Sequence, residues 1–228
     1  MHAFFYTTTP NLFMKTRKKI GIIGAGGFGK ETLCCLIDSI ANTRLKIEDL
    51  AIFIVDDAHF DAENAFVLGV PVLPLSLFEP RKYNVVVAIG DPLSRKAIID
   101  KLPKKTTFTT IIHPTAAISK WVEIGEGSII TAGVVLTCDI TIGKHAHINL
   151  QTTIGHDCSM GDYFTTAPSA NISGHCHFGD RVYIGTNASI RQSITICDDV
   201  TIGMGGVVTK NIAESGVYIG NPLKKLEK

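Results

Sequence analysis

The sequence predicts a two-part chain: a small parallel α/β sheet, then a parallel β-helix whose coils have three flat six-residue faces. Two periodicities carry this prediction. Between Lys18 and Ile112 short apolar strands alternate with segments of helical spacing, and from Ile112 to Val208 an apolar residue recurs at every sixth position. Strands alternating with helices imply a parallel sheet. A period of six suits neither an α-helix nor an alternating strand, but it fits a triangular coil with one inward residue per face.

In the first part, IGIIG at 20–24 reads as a short buried strand, and Lys30 to Ile40 has helical spacing. AIFIV at 51–55 and NVVVAIG at 84–90 read as further strands, and FTTII at 108–112 as the last. PLSRKAIIDKL at 92–102 reads as a helix with Pro92 in its first turn. The expected divisions are a loose arm at 1–16, with Met14 an alternative start, a sheet domain at 17–112, a β-helix at 113–210 and a tail at 211–228.

In the second part, sixteen of the seventeen residues in the sixth-residue column are apolar, against 45% for the whole chain, and only Thr166 departs. Three faces make an 18-residue coil, so residues 18 apart should stack about 4.8 Å apart along the axis. That register sorts the candidate chemistry. In TIGHDCSMGDYF (153–164), His156 lies two places after inward Ile154, where other repeats hold Lys120, Glu126, Lys144, Asp162, Asp180, Gln192 and Asp198. His156 therefore faces outward, with Asp157 beside it.

One coil on stands Gly174, the only glycine in that column from Pro114 to Met204. A base that titrates near neutrality, an orienting carboxylate and open backbone N–H are the parts needed for acyl transfer to an amine or hydroxyl. The competing reading is a solvated surface histidine. His145-x-His147 and His175-x-His177 raise metal ligation, but no aspartate or cysteine completes an evident tetrahedral set, so no metal is expected. Cys158 and Cys176, 18 apart, read as stacked core thiols. The six cysteines include no C-x-x-C pair, which suits reduced thiols in a cytoplasmic protein.

GAGGFG at 24–29 follows a strand and opens a helix, with Asp56 and Asp57 at the end of the next strand. Such a loop brings backbone close to phosphate at a helix N-terminus. A sheet domain of this size suits a mononucleotide better than a dinucleotide. With 22 basic and 21 acidic side chains, the chain offers no general field for nucleic acid or an anionic membrane. No apolar run approaches the roughly 20 residues of a membrane span, and residues 1–14 lack the layout of a secretory leader. A soluble cytoplasmic protein is expected.

KIGIIGAGGFGKE, FIVDD, VVVAIGDPLSRK, INLQTTIGHDC, ISGHCHFGDRVYIG and VYIGNPLKK, in this order, resemble the bacterial nucleotide-sugar acetyltransferases of the sialic acid O-acetyltransferase and bacillosamine N-acetyltransferase group. The likeness covers nearly the whole chain from Lys15. It implies a Rossmann-like domain before a trimeric left-handed β-helix of hexapeptide repeats. It also implies a catalytic His156 with Asp157 as its acidic partner and Gly174 as the oxyanion contact. The nucleotide sugar would lie on Gly26, Gly27 and Phe28, with Asp56, Asp57, Gly90 and Arg95 around it. Acetyl-CoA would lie near Thr165, Thr186, Met204 and Gly205, with the C-terminal tail close to its nucleotide end. Some relatives carry histidine where this chain has Thr165 or Phe28.

The activity so implied is acetyl-CoA-dependent N-acetylation of the 4-amino group of a nucleotide-linked amino-dideoxy sugar in surface-glycan synthesis, by a homotrimer. Sialic-acid-type O-acetylation is the alternative. Further readings are a metal-dependent enzyme like γ-class carbonic anhydrase, or a non-catalytic nucleotide-binding scaffold.

Overall fold

The computed structural model describes residues 18–227, so the expected arm at 1–16 lies outside it. Strands β1 (Lys19–Ile23), β2 (Ala51–Val55), β3 (Phe66–Val67), β4 (Val70–Pro74), β5 (Tyr83–Val87) and β6 (Thr107–Phe108) form one sheet in the order β3-β4-β2-β1-β5-β6. Only the β3–β4 pair is antiparallel. Helices α1 (Gly27–Ile40), α2 (Ile47–Leu50) and α3 (Pro92–Lys101) complete the domain. Leu33 and Leu36 of α1 pack with Ile20, Ile22 and Phe53. Ile98 and Ile99 of α3 pack with Ile23, Ile54 and Val85, so both sides of the sheet are covered.

The β3–β4 hairpin has no counterpart in the strand reading. Its turn residues, Leu68 and Gly69, both have positive φ (49° and 78°), the requirement of a tight hairpin turn usually met by Asn-Gly. FTTII also divides. Thr107–Phe108 pairs with β5, whereas Ile111–Ile112 pairs with Ile129–Ile130 and starts the first coil.

From there the chain winds into three parallel sheets. One face, here called the docked face, runs through Ile111–Ile112, Ile129–Ile130, His147–Ile148, Thr165–Thr166, Tyr183–Ile184 and Val200–Ile202. It is extended by Gly216–Ile219, which pairs parallel with Val200–Ile202 and folds back antiparallel on Lys224–Lys225. Part of the segment expected as a tail, Gly216–Ile219 and Lys224–Lys225, thus belongs to this sheet. The middle face runs from Ala117–Ile118 to Val207–Val208, and the third from Val122–Ile124 to Thr195–Ile196. Partners are 18 residues apart, as in Thr153 with Asn171 and His147 with Thr165.

Isoleucines 130, 148, 154, 172, 184, 190, 196 and 202 fill the core, and each such burial is worth about 1.5–3 kcal/mol. Cys158 and Cys176 stack within it. At the corners one residue in six is left-handed, including Asp139, His145, Gln151, Asp157, Tyr163, Ser169 and His175, with φ between 53° and 62°. From His145 on, each such turn carries a ladder hydrogen bond to the preceding coil, as from Asp157 N–H to Cys138 C=O (3.1 Å) and His175 N–H to His156 C=O (2.8 Å).

Thr166, the one polar residue of the inward column, is fully buried yet satisfied. Its Oγ1 lies 2.9 Å from Thr152 Oγ1 and accepts from Asn149 N–H at 3.0 Å.

The α/β domain sits on the docked face. Ile111 and Ile129 join the core formed by α1 and the sheet. Asp38 of α1 lies 2.8 Å from His113 Nε2. Arg95, fully buried, reaches from α3 to the coils. One guanidinium nitrogen donates to Ile89 C=O (2.7 Å) and His147 Nδ1 (2.8 Å), the other to Tyr163 C=O (2.7 Å) and Thr165 Oγ1 (2.7 Å). Since arginine only donates, His147 must accept at Nδ1 and donate from Nε2 to Val87 C=O at 2.9 Å. That histidine is held neutral, its pKa driven down first by burial and then by Arg95. His145 stacks on Tyr163 and meets Phe108 edge-on, and burial brings its pKa down to about 4.

Two measurements test this packing. Thr166→Val keeps the shape but strands Asn149 N–H and the Thr152 hydroxyl, so the unfolding free energy should fall by about 1–3 kcal/mol in chemical denaturation. The second concerns acid. His145 titrates at 6.5 when unfolded and at about 4 when folded, so between these values the unfolded chain binds more protons. Stability should therefore drop as the pH falls from 6.5 toward 4. His145→Asn, which tolerates the left-handed backbone, should flatten that slope in melts recorded against pH.

Candidate active site

His156 occupies the corner between the middle and third faces, carried by the turn from Thr153–Ile154 to Cys158–Met160. Asp157 Oδ2 accepts from its Nδ1 at 2.6 Å. That bond, with the nearby His175 in a lesser part, lowers the Asp157 pKa and keeps the carboxylate ionised. The proton of a neutral His156 is thereby fixed on Nδ1, and the Nε2 lone pair, which has no partner among the described residues, is left for chemistry.

Gly174 explains how the ring fits. A Cβ at this position would lie 2.8–3.1 Å from three atoms of the His156 imidazole, so any larger residue would push the ring away. Its carbonyl accepts from Ser193 N–H at 3.0 Å, while its own N–H finds no acceptor among the described residues. The equivalent N–H groups at another corner are capped by a carboxylate one coil on: Lys144 by Asp162 (2.7 Å), Asp162 by Asp180 (2.8 Å) and Asp180 by Asp198 (3.0 Å). An uncapped backbone donor beside an oriented base can hold an oxyanion.

The glycine loop forms a second site. Gly29 is required by packing, since a Cβ there would meet Gly24 C=O at 2.0 Å, whereas Gly26 and Gly27 face open space at the N-terminus of α1. Beside them lies a cavity of about 590 Å³, lined by Gly24–Gly26, Ile54–Asp56, His59, Leu75, Ile89 and the Ser94–Ile98 side of α3. It opens at the C-terminal ends of β1 and β2, where chain order reverses across β1, the usual ligand position in open parallel sheets.

The expected ligand residues divide between these places and the domain junction. Gly26 and Asp56 line the cavity, Gly27 lies at its rim of open backbone, and exposed Gly90 follows Ile89. Asp57 accepts from Ser76 N–H (3.0 Å) and the Ser76 hydroxyl, which holds the loop after β2. Phe28 packs its ring on His147 at 4.7 Å. Arg95, expected at the sugar nucleotide, and Thr165, expected at acetyl-CoA, bond to each other and are both buried where the α/β domain meets the coils, away from the cavity lining. Thr186, Met204 and Gly205 do cluster, with Gly205 N–H donating to Thr186 C=O at 2.8 Å and Met204 80% exposed. Their corner bounds the opposite edge of the middle face from His156.

His175 belongs to the His156 corner and was not assigned there from sequence. Its ring meets that of His156 edge-on, with centroids 5.0 Å apart. The 18-residue register could have found it, since His175 stands one coil above Asp157.

Residues 19–102 match the PglD N-terminal domain family, and residues 122–138 and 178–210 match the hexapeptide repeat of succinyl-transferase. The GDP-perosamine N-acetyltransferase of Escherichia coli is 32% identical over 88% of this chain and 82% of its own length. Among solved structures, the Caulobacter crescentus protein PerB in complex with CoA and GDP-perosamine is 30% identical, covers 92% of this chain and 97% of its own, and superposes with a TM-score of 0.79. The acetyltransferase domain of PglB from Neisseria gonorrhoeae is 28% identical over 92% of this chain and 100% of its own, with a TM-score of 0.80. With an oriented imidazole on a hexapeptide coil and a glycine-loop cavity in the domain docked on the coils, the chain belongs to the family of hexapeptide-repeat N-acetyltransferases that includes GDP-perosamine N-acetyltransferase, and it is an acyltransferase.

Proposed function

We propose that the chain transfers an acetyl group from acetyl-CoA to the 4-amino group of a nucleotide-linked amino-dideoxy sugar, in the synthesis of surface glycans. The observation that carries this reading is the corner itself: Nδ1 of His156 tied to Asp157 at 2.6 Å, Nε2 open, and the uncapped N–H of Gly174 alongside. As the amine nitrogen bonds to the thioester carbon, His156 Nε2 takes its proton and Asp157 steadies the resulting imidazolium. The carbonyl oxygen becomes an oxyanion beside Gly174 N–H. When it collapses the C–S bond breaks, CoA leaves as thiolate, and the proton on His156 passes to it or to water. Amide and CoA are the products. A thiolate is a good leaving group, so no separate acid is required.

The relatives solved with CoA and GDP-perosamine, or with acetyl-CoA, support the pairing of substrates. We place the nucleotide on the cavity beside Gly26 and Asp56, and acetyl-CoA along the edge marked by Thr186, Met204 and Gly205. A homotrimer would close a cleft over His156, and exposed Met204 and Val135 on the middle face favour such a neighbour. No helix among the described residues is long and apolar enough to cross a membrane. We assign the protein to the cytoplasm, where both substrates are made.

With acetyl-CoA and GDP-perosamine, His156→Ala and His156→Asn should each lower kcat about 10²–10⁴-fold with the folded state intact. Near-normal turnover by both would remove His156 from the mechanism. Gly174→Ala should also lower kcat, because its methyl group displaces the His156 ring, while substrate KM values change little.

A further inference from the structure

We propose that His156, Asp157 and His175 form a binding site for a divalent transition-metal ion of the Zn²⁺ type, whose occupancy switches the acetyltransferase off. The proposal rests on the reading of His156 as the base.

One ligand atom from each residue lies within 4.8 Å of the other two. Asp157 Oδ2 is 2.6 Å from His156 Nδ1 and 3.8 Å from His175 Nε2. A tetrahedral ion bonded at about 2.0–2.2 Å needs its ligand atoms about 3.4 Å apart, and the observed separations bracket that value. Two imidazoles and one carboxylate form a borderline donor set suited to zinc, and they leave a fourth position for water.

The scaffold is already in place. Asp157 and His175 are 18 residues apart in one column, both left-handed (φ 58° and 57°), and the His175 N–H is tied to His156 C=O at 2.8 Å. All three side chains are about half exposed, so rotation about side-chain bonds alone would bring them onto an ion. His177 faces another partner, its Nδ1 lying 2.8 Å from Ser159 Oγ. Of the second H-x-H pair, only His175 turns toward the base.

An ion held at Nε2 of His156 would occupy the lone pair that accepts the substrate proton. An ion held at Nδ1 would displace the Asp157 hydrogen bond that orients the ring. Either way the imidazole becomes a ligand and stops serving as a base. Acetyl transfer itself needs no metal in this scheme, so the ion is an inhibitor that a chelator removes.

The test uses the full chain with exposed Cys34 replaced by Ser, which removes an accessible thiol that would compete for the metal. Equilibrium dialysis without substrates should find about one Zn²⁺ per chain. His175→Asn, which keeps the left-handed backbone, should weaken that binding at least tenfold. In initial-rate assays with acetyl-CoA and GDP-perosamine, each protein referred to its own rate in EDTA, His175→Asn should need at least tenfold more Zn²⁺ than its parent for half inhibition. Unchanged zinc affinity in His175→Asn, or full zinc loading with an undiminished rate, overturns the proposal. Failure of the base assignment would register separately, as turnover by His156→Ala in EDTA, and the dialysis result does not depend on it.

Discussion

Everything in the second part of the chain depends on one constraint, the backbone ladder that ties each residue to its neighbour one coil away. On the flat faces the N–H groups bond forward, as from Thr153 to Ala170 and Gly155 to Ile172, and at the corners they bond back, as from Asp157 to Cys138. Because buried amide groups must find partners, a coil cannot lengthen or shorten without breaking bonds above and below it. Residues 18 apart are locked into columns, and each column must suit its place. The inward columns hold isoleucine, the corners hold residues that tolerate left-handed backbone, and only the outward columns are free to vary.

The site uses that freedom at one corner. Where Asp162, Asp180 and Asp198 close off the N–H groups below them, the chain builds scaffold. Where His156 stands below Gly174, the same geometry leaves a ring and a donor unsatisfied within the protein. The groups proposed for catalysis need no special loop. They arise when a column that elsewhere satisfies itself is given an imidazole and then a residue without a side chain. The left-handed turn that Asp157 adopts is the one used at each corner from Gly127 to Gly205, so its orientation toward His156 costs the fold nothing extra.

This is why the His156 corner was legible in the sequence while the domain junction was not. Counting in steps of six places His156 outside, Cys158 inside and Gly174 above, because the ladder converts sequence distance into position. His145, His147 and Thr165 obey the same count and lie outside the inward column, yet they are buried, because a second domain, through Arg95 among others, covers their face. Contacts between two bodies of different period follow neither period. A signal was present in Ile111 and Ile129, apolar residues in the column of His147 and Thr165, where a solvated face would carry polar groups. The β3–β4 hairpin was missed for a more local reason, a Leu-Gly turn that lacks the customary asparagine.

The junction gives Arg95 a larger part than a contact to ligand. Its neighbours Ser94, Ala97 and Ile98 line the glycine-loop cavity, while its guanidinium grips Tyr163, Thr165 and His147 on the coils. A buried cation is costly unless its donors are placed; the two terminal nitrogens of this one have four oxygen partners and an imidazole nitrogen held neutral to receive it, while Nε is left without a partner among the described residues. Burial lowers the Arg95 pKa to about 9, which still leaves it charged at neutral pH. A hydrophobic residue in its place could fill the volume but would not fix direction. The two sites therefore sit on opposite sides of one rigid connection, so the glycine-loop cavity proposed for the nucleotide is set, through α3, relative to the coil that carries His156.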